Sequence, residues 1–333
     1  MFRSSRTEPT PLDGRDSVLA DLDGVVYTGA EAIPFAVESL NRAAESLRVG
    51  YITNNASRTD ASVAGHLSEL GLSVRAEDVV TSPQAAVVLL ADLVPAGATI
   101  LVVGAEGLTS EVERAGFTVT RSAEDSPAAV IQGFAPTVGW EQLAEASFAL
   151  HTGIPWVATN TDWTIPVARG IAPGNGTLVS AVHTAVGRLP VVAGKPERAI
   201  FDAATARFGS ANPLFLGDRL DTDIAGANGA QMASAHVLTG IDRAKQLLAA
   251  EPKLRPIFIL GDLRELHLPY PATTISRNGT HSVRGAKVRL EGDSVLIVDA
   301  GDDATDLLRA ACSVIWSSGR AIYGLDVPES LYR

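Results

Sequence analysis

The sequence predicts an α/β protein built on a doubly wound parallel sheet, with an inserted α/β domain and a small C-terminal α+β extension. Short apolar runs alternate with stretches of helical periodicity along most of the 333 residues. Strands joined by helical crossovers produce this pattern. The alternation restarts part-way along the chain, which predicts the insertion. A proline-containing stretch, LHLPYPATT, then precedes a tail with strand-like alternation and one further helix.

The first part of the core is predicted from two strand–helix pairs. Residues 18–20 (VLA) and 49–52 (VGYI) are short buried strands. Apolar residues that share one helix face follow each strand: Leu40, Ala43, Ala44 and Leu47 after the first, and Val63, Leu67 and Leu70 after the second.

The core resumes near residue 192, where a helix is predicted from Pro196 because proline is favoured at the first helical position. Further strands are predicted at 214–216, 235–238 and 257–260, with a helix from about Thr222. The predicted domains are a Rossmann-like core at 1–83 and 192–268, an α/β insertion at 84–191 and the extension at 269–333.

Composition narrows the classes of function. The chain is 46% hydrophobic and 20% charged, as expected of a globular protein with a substantial core. Its 27 Lys and Arg against 38 Asp and Glu give a net charge of −11, which argues against a nucleic-acid partner. Cys312 is the one cysteine, so an intrachain disulfide is excluded, and we interpret it as a core residue. Without a signal-like or membrane-length apolar run, we expect a cytoplasmic protein that does not bind membranes.

Acidic residues follow two of the predicted strands. Asp21 and Asp23 come directly after the first strand, with Gly24 allowing a sharp turn. Asp218 and Asp223 follow the strand at 214–216. If both strands lie in one parallel sheet, their carboxyl ends meet at the edge where ligands bind, so these acids should converge on one point. An all-oxygen cluster of this kind suits Mg²⁺. The alternatives are a solvated turn at the first site and helix capping at the second.

Two polar segments follow other strands. Thr53, Asn54 and Asn55 end the strand at 49–52 and could donate hydrogen bonds to phosphate oxygens, although Asn-Asn is also common turn chemistry. The sequence Gly194-Lys195-Pro196 resembles the end of a nucleotide-binding P-loop. The spacing from Gly187 to Gly194 does not fit that motif, so a P-loop is rejected.

In this order, the motifs DLDGVV, ITNN, GKP and GDRLDTDI resemble the four motifs of the haloacid dehalogenase superfamily. The insertion between ITNN and GKP is similar to the large cap of the NagD-like (p-nitrophenyl-phosphatase-like) branch. Within it, the chain resembles the bacterial glycerol 3-phosphate phosphatases, which also carry a C-terminal extension. The resemblance covers about residues 17–265.

The resemblance implies a magnesium-dependent phosphatase that acts through an aspartyl-phosphate intermediate. Asp21 would be the nucleophile and Asp23 the general acid and base. Mg²⁺ would be held by Asp21, Asp218 and the backbone carbonyl of Asp23, and burial beside Asp21 should favour a protonated Asp23. The resemblance further assigns Lys195 and Thr53 to the phosphoryl oxygens, and it assigns Asp223 to orienting Lys195 or the metal shell.

The expected substrate is a small phosphorylated metabolite, with glycerol 3-phosphate favoured. Pyridoxal phosphate, nucleoside monophosphates and phosphosugars are the alternatives, and a non-catalytic phosphometabolite sensor is a remote one. Substrate contacts are expected from Asn54, Asn55, Asn160, Asp162 and Arg169. The extension is assigned no activity. It is expected to pack against the cap or to mediate self-association, and a homodimer through the cap or the extension is one prediction.

Overall fold

The computed structural model describes residues 8–167 and 169–332, which form parallel sheets with helices between the strands, a four-stranded antiparallel sheet and two-stranded antiparallel pairs. The strands are β1 (Ser17–Ala20), β2 (Tyr27–Thr28), β3 (Glu31–Ala32), β4 (Arg48–Thr53), β5 (Val79–Thr81), β6 (Thr99–Val103), β7 (Thr118–Thr120), β8 (Ala129–Gln132), β9 (Trp156–Ala158), β10 (Thr164–Val167), β11 (Gly170–Pro173), β12 (Val191–Val192), β13 (Pro213–Gly217), β14 (Ala233–Val237), β15 (Phe258–Leu260), β16 (Thr273–Ile275), β17 (Thr280–Val283), β18 (Ala286–Glu291) and β19 (Ser294–Asp299).

The α-helices are α1 (Ala36–Ala44), α2 (Asp60–Glu69), α3 (Ser82–Ala91), α4 (Glu106–Arg114), α5 (Trp140–Leu150), α6 (Asn175–Val186), α7 (Arg198–Phe208), α8 (Ala225–Gly229), α9 (Ala244–Leu248) and α10 (Ala304–Ser318). The described residues fall into two compact units. Unit 1 comprises residues 8–49 and 212–332, and unit 2 comprises residues 50–167 and 169–211. The four domain ranges predicted from the sequence stay a prediction.

Unit 1 contains a parallel sheet in which four strands lie in the order β15-β14-β13-β1. Every residue of β1, β13 and β14 is buried, as expected of strands covered on both faces. In the register, Ala20 of β1 lies beside Leu216 of β13. The next residue continues this ladder, because the Asp21 N–H donates to the Leu216 carbonyl at 2.9 Å. The carboxyl ends of β1 and β13 therefore lie side by side.

The C-terminal extension is an antiparallel sheet, β16-β17-β18-β19, that packs against α10. Its apolar residues form one hydrophobic core with Leu220, Ile224, α9 and Ile259. The extension therefore packs on the second part of the core, a partner that the sequence did not predict. Cys312 lies buried in this shared core, which agrees with its interpretation as a packing residue. Together with the parallel sheets, this confirms the predicted fold class.

Unit 2 contains a five-stranded parallel sheet, β12-β9-β8-β6-β7, which confirms the predicted α/β insertion. One face of this sheet packs on α5 and α6 through apolar residues such as Val130 and Val179. In the same unit, β4 pairs with β5 in parallel, and β10 and β11 form an antiparallel hairpin.

Two predicted helix starts differ from the structure. Helix α7 begins at Arg198, because the residues from Gly194 form a turn in which the Glu197 N–H donates to the Gly194 carbonyl at 2.9 Å. The helix predicted from about Thr222 is preceded by a π-helical turn, Leu220–Ile224, and continues as α8. Within 8–167 and 169–332, none of the helices is long and apolar enough to cross a bilayer.

Candidate active site

Asp21 and Asp218 lie together at the carboxyl ends of β1 and β13. Together with Asp223, each offers a carboxylate oxygen within 4.8 Å of the others, and all three residues are buried. This confirms that acids nearly two hundred residues apart in the sequence converge, as the strand register requires. Three buried carboxylates this close repel one another unless a cation or a shared proton offsets their charge.

Asp223 is held by the backbone next to Asp218. Its Oδ2 accepts hydrogen bonds from the N–H groups of Asp218 and Arg219, both at 3.1 Å. Gly217 makes this contact possible, because a Cβ at that position would lie 2.2 Å from the Asp223 Cβ. The π-helical turn places Asp223 over the end of β13, and such turns often occur at functional sites.

Asp23 lies on the surface, so the expectation that it is buried beside Asp21 is wrong. After Asp21 the chain turns sharply: the Leu22 carbonyl accepts from the Val26 N–H at 2.8 Å, and Gly24 has a φ of 81°. This left-handed backbone, together with the closeness of Asp218, explains the glycine. A Cβ on Gly24 would lie 2.3 Å from the Asp218 Oδ2.

The segment after β14 also contacts the acidic cluster, and the sequence analysis missed it. The Ile241 N–H donates to the Asp218 Oδ2 at 2.6 Å, and the Asp242 N–H donates to the Asp218 carbonyl at 3.1 Å. Burial lowers the pKa of His236, so its ring is neutral at pH 7 and Nε2–H donates to the Asp242 carbonyl at 3.0 Å. In the sequence, the one indication of this segment is the Thr239-Gly240 pair, which comes directly after the strand predicted at 235–238. That strand pairs with β13 in the structure.

In unit 2, the Asn54 side chain pairs with the backbone of Lys195. Its Oδ1 accepts from the Lys195 N–H at 2.8 Å, and its Nδ2 donates to the Lys195 carbonyl at 3.1 Å. Gly194 allows this approach, since a Cβ there would lie 2.5 Å from the Asn54 Oδ1. Both polar atoms of the Asn54 amide thus bind the chain itself, which gives this predicted substrate residue an internal role.

The same network includes other residues singled out from the sequence. Asp162 accepts from Asn54 Nδ2 at 3.2 Å, and Asn160 Nδ2 donates to the Asn54 carbonyl at 2.8 Å. Thr53 is buried at the end of β4, and its Oγ1 accepts from the Asn55 N–H at 3.1 Å. Arg169 is exposed in the turn between β10 and β11.

The donor set of the acidic cluster fits magnesium. Mg²⁺ favours oxygen ligands and binds proteins through one or two carboxylates while keeping several waters. Asp21 and Asp218 supply such carboxylates, and the cluster includes no thiolate or imidazole that would favour a softer metal. Lys195 and Thr53 belong to unit 2.

Comparison with known proteins identifies the family. A haloacid dehalogenase-like hydrolase model matches residues 18–118, and a HAD-hydrolase-like model matches residues 192–266. The D-glycerol 3-phosphate phosphatase of Mycobacterium tuberculosis is 43% identical over 314 residues, which cover 92% of this chain and 87% of that protein. This chain belongs to the haloacid dehalogenase-like hydrolases.

Solved structures agree with this membership. The crystal structure of a glycerol phosphate phosphatase from M. tuberculosis in complex with magnesium has a TM-score of 0.85 and 42% identity, and the match covers 93% of each chain. A 4-nitrophenylphosphatase from Thermotoga maritima has a TM-score of 0.71 and 29% identity, covering 77% of this chain and 97% of that one. The resemblance to the p-nitrophenyl-phosphatase-like branch is confirmed.

Proposed function

We infer that this hydrolase is a magnesium-dependent phosphatase for a small phosphate monoester, and we propose D-glycerol 3-phosphate as its substrate. The observation that carries the proposal is the buried cluster of Asp21, Asp218 and Asp223 at the ends of adjacent parallel strands. The family membership and the similarity to a phosphatase over 92% of the chain support the same reaction.

We propose that the carboxylates of Asp21 and Asp218 and the backbone carbonyl of Asp23 hold Mg²⁺. The ion would offset the charge that these acids and a bound phosphate bring together. Asp223 would support the site by fixing the backbone around Asp218 with its Oδ2.

In the proposed reaction, an Asp21 carboxylate oxygen attacks phosphorus while the bond from phosphorus to the alcohol oxygen breaks. Asp23 donates a proton to the departing alkoxide, giving the free alcohol and an aspartyl phosphate. Asp23 then accepts a proton from the water that attacks this phosphate, which leaves Asp21 as a carboxylate and releases inorganic phosphate. The exposure of Asp23 means that the free enzyme can exchange this proton directly with solvent.

We propose that Lys195 and Thr53 neutralise the charge on the phosphoryl oxygens, a role of positioning and electrostatics. Two features of unit 2 support it. The Asn54 amide fixes the Lys195 backbone through two hydrogen bonds, and Thr53 is buried at the end of β4. Asn55, Asn160, Asp162 and Arg169 stay candidates for contacts with the alcohol part of the substrate.

The similarity of the extension supports the narrow choice of substrate. The match to the M. tuberculosis D-glycerol 3-phosphate phosphatase covers 92% of this chain, whereas the T. maritima 4-nitrophenylphosphatase covers 77%. Of these two matches, the one that extends over the C-terminal extension is therefore to the glycerol phosphate enzyme. Pyridoxal phosphate, nucleoside monophosphates and phosphosugars are the alternative substrates, since the same catalytic residues would serve them.

A panel of phosphate esters with Mg²⁺ tests this proposal, with released phosphate as the readout. We expect the highest kcat/KM for D-glycerol 3-phosphate. Equal or lower kcat/KM than for unrelated esters would contradict the narrow assignment. The control is Asp21→Asn, which should abolish turnover, whereas a non-catalytic sensor would show no turnover in either protein. We also propose that the protein is cytoplasmic and forms a homodimer. Light scattering on the full chain tests the homodimer, and detection of the protein in cell fractions tests its location.

A further inference from the structure

The loop that follows β14 contacts Asp218 and the turn that follows Asp21. β14 pairs with β13, and Gly217 at the end of β13 lies beside His236 in the register. The chain that leaves β14 therefore runs past the start of the segment that carries Asp218. We call residues 239–242 the TGID loop. Its position follows from the strand order.

The first contact joins the loop to the turn that follows Asp21. The Thr239 hydroxyl donates to the Gly24 carbonyl at 2.7 Å. Gly24 lies three residues after Asp21 and directly after Asp23, whose backbone carbonyl we propose as a ligand. The hydroxyl therefore restrains the backbone of the turn that presents the nucleophile.

The other contacts join the loop to Asp218. The Ile241 N–H donates to the Asp218 Oδ2 at 2.6 Å, and the Asp242 N–H donates to the Asp218 carbonyl at 3.1 Å. The Asp242 Oδ2 also accepts from the Leu220 N–H at 2.7 Å. The loop thus binds Asp218 through both its carboxylate and its backbone, which limits the orientations that the carboxylate can take.

Gly240 leaves the space that the Asp218 carboxylate occupies. A Cβ on Gly240 would lie 1.9 Å from the Asp218 Oδ2, and a Cβ on Gly24 would lie 2.3 Å from the same atom and 3.0 Å from the Gly240 Cα. Two glycines from different loops thus enclose one carboxylate. The backbone of Gly240 is not in the left-handed region, so close approach alone explains this glycine.

We propose that the TGID loop is a positioning element of the metal site, in which Thr239 holds the Asp21–Gly24 turn against Asp218. The proposal rests on the proposed function, because it assigns Mg²⁺ to this cluster. Thr239 contacts neither the substrate nor the metal in this account. It acts through the geometry of the ligands, so its loss should weaken Mg²⁺ binding while leaving the rest of the fold intact.

The test compares the wild type with Thr239→Val, Thr239→Ser and Thr152→Val. Valine keeps the shape of threonine but removes the donor, whereas serine keeps the donor. The Thr152 hydroxyl donates to the Ala149 carbonyl at 2.7 Å in unit 2, so Thr152→Val is a matched control. Two readouts are needed: the Mg²⁺ concentration that gives half of the metal-induced rise in Tm, and the concentration that gives half-maximal phosphatase activity.

We expect Thr239→Val to raise both half-saturation concentrations by about fivefold, which corresponds to the loss of one hydrogen bond. Thr239→Ser and Thr152→Val should match the wild type in both half-saturation concentrations, and Tm in EDTA should fall no more in Thr239→Val than in Thr152→Val, which also loses one hydrogen bond. Gly240→Ala should abolish saturation, whereas Gly229→Ala, where a Cβ meets nothing within 4 Å, should not.

Unchanged half-saturation in Thr239→Val, or failure of serine to restore it, would overturn the positioning role. A fall in Tm in EDTA without a change in Mg²⁺ response would do the same, because it would show a structural role alone. If the wild type neither gains Tm with Mg²⁺ nor hydrolyses any ester, the proposed function itself fails, and this inference with it.

Discussion

The Asp223 Oδ2 accepts a hydrogen bond from the backbone N–H of Asp218 at 3.1 Å. The same oxygen accepts from the Arg219 N–H, so one buried carboxylate satisfies two donors of the turn that presents Asp218. These two hydrogen bonds fix the orientation of the Asp223 carboxylate, and they also hold the backbone of Asp218 and Arg219 in place. Asp223 therefore links the fold of the π-helical turn to the geometry of the cluster.

Asp223→Ala should lower the free energy of unfolding by about 2–4 kcal/mol in saturating Mg²⁺, where the ion offsets the repulsion between the acids, because it leaves two backbone donors without their charged acceptor. Denaturant titration measures this. The control is Asp221→Ala, which removes an exposed side chain paired with Arg219 and should change stability by less than about 1 kcal/mol. Equal effects of the two variants would contradict the role given to Asp223.

Asn54→Asp should reduce kcat/KM by about a hundredfold, since small displacements of catalytic groups cost this much. The change replaces the Nδ2 donor with a carboxylate oxygen that faces both the Asp162 carboxylate and the Lys195 carbonyl. Steady-state kinetics measure the loss, with Asn278→Asp as the control in the extension. Wild-type kinetics in Asn54→Asp would show that the pairing with Lys195 does not matter for turnover.

Gln132→Met should stabilise the protein by about 1–2 kcal/mol. Gln132 is fully buried at the end of β8, and neither polar atom of its amide has a hydrogen-bond partner among the described residues. Removing a buried polar group without partners removes its desolvation cost.

The matched control for this change is Gln84→Met. Gln84 is also buried, but its Nε2 donates to Asp60 at 2.9 Å, so this substitution should destabilise by about 1–3 kcal/mol. Denaturation midpoints compare the two variants. A destabilised Gln132→Met would show that the amide has an important role in the fold.

Stability should depend on pH through Glu111. Burial raises the pKa of this carboxyl above its usual 4.5, although Arg114, Gln84 and Arg207 act in the opposite direction and Asp60 adds to the rise. The folded state therefore keeps the Glu111 proton up to a higher pH than the unfolded state does. It follows that wild-type stability falls as pH rises from 4.5 through the higher folded pKa.

We expect wild-type stability to fall relative to Glu111→Gln between pH 4 and 7, because glutamine carries no titrating proton at this site. Denaturation at several pH values measures the difference, with the exposed Glu113→Gln on the same helix as the control. A difference that stays constant across this range would show that Glu111 does not titrate differently in the two states.

The convergence of Asp21 and Asp218 could be predicted because it depends on strand order and on motifs that are local in sequence. The exposure of Asp23 could not, since it depends on how the turn closes onto the Leu22 carbonyl. The pairing of the Asn54 side chain with the Lys195 backbone could not be predicted either. An asparagine after a strand gives no sign that a glycine 140 positions later leaves room for it.

The TGID loop was missed for a related reason. Thr239 and Gly240 matter through backbone hydrogen bonds and close approach, which apolar periodicity does not report. The packing of the extension likewise depends on contacts between Leu220, Ile224 and α10 that are far apart in sequence. Motifs at the ends of strands could thus be placed from the sequence, whereas the contacts that support them join residues that are far apart in the chain.

Trapping the phosphorylated enzyme tests the account most directly. The full chain is mixed with Mg²⁺ and glycerol 3-phosphate, quenched in acid and digested, and the peptides are analysed by mass spectrometry. We predict one phosphoryl group on the carboxylate of Asp21, none in EDTA and none in Asp21→Asn. Phosphate release by Asp21→Asn at the wild-type rate, or a phosphoryl group on another residue, would contradict the account.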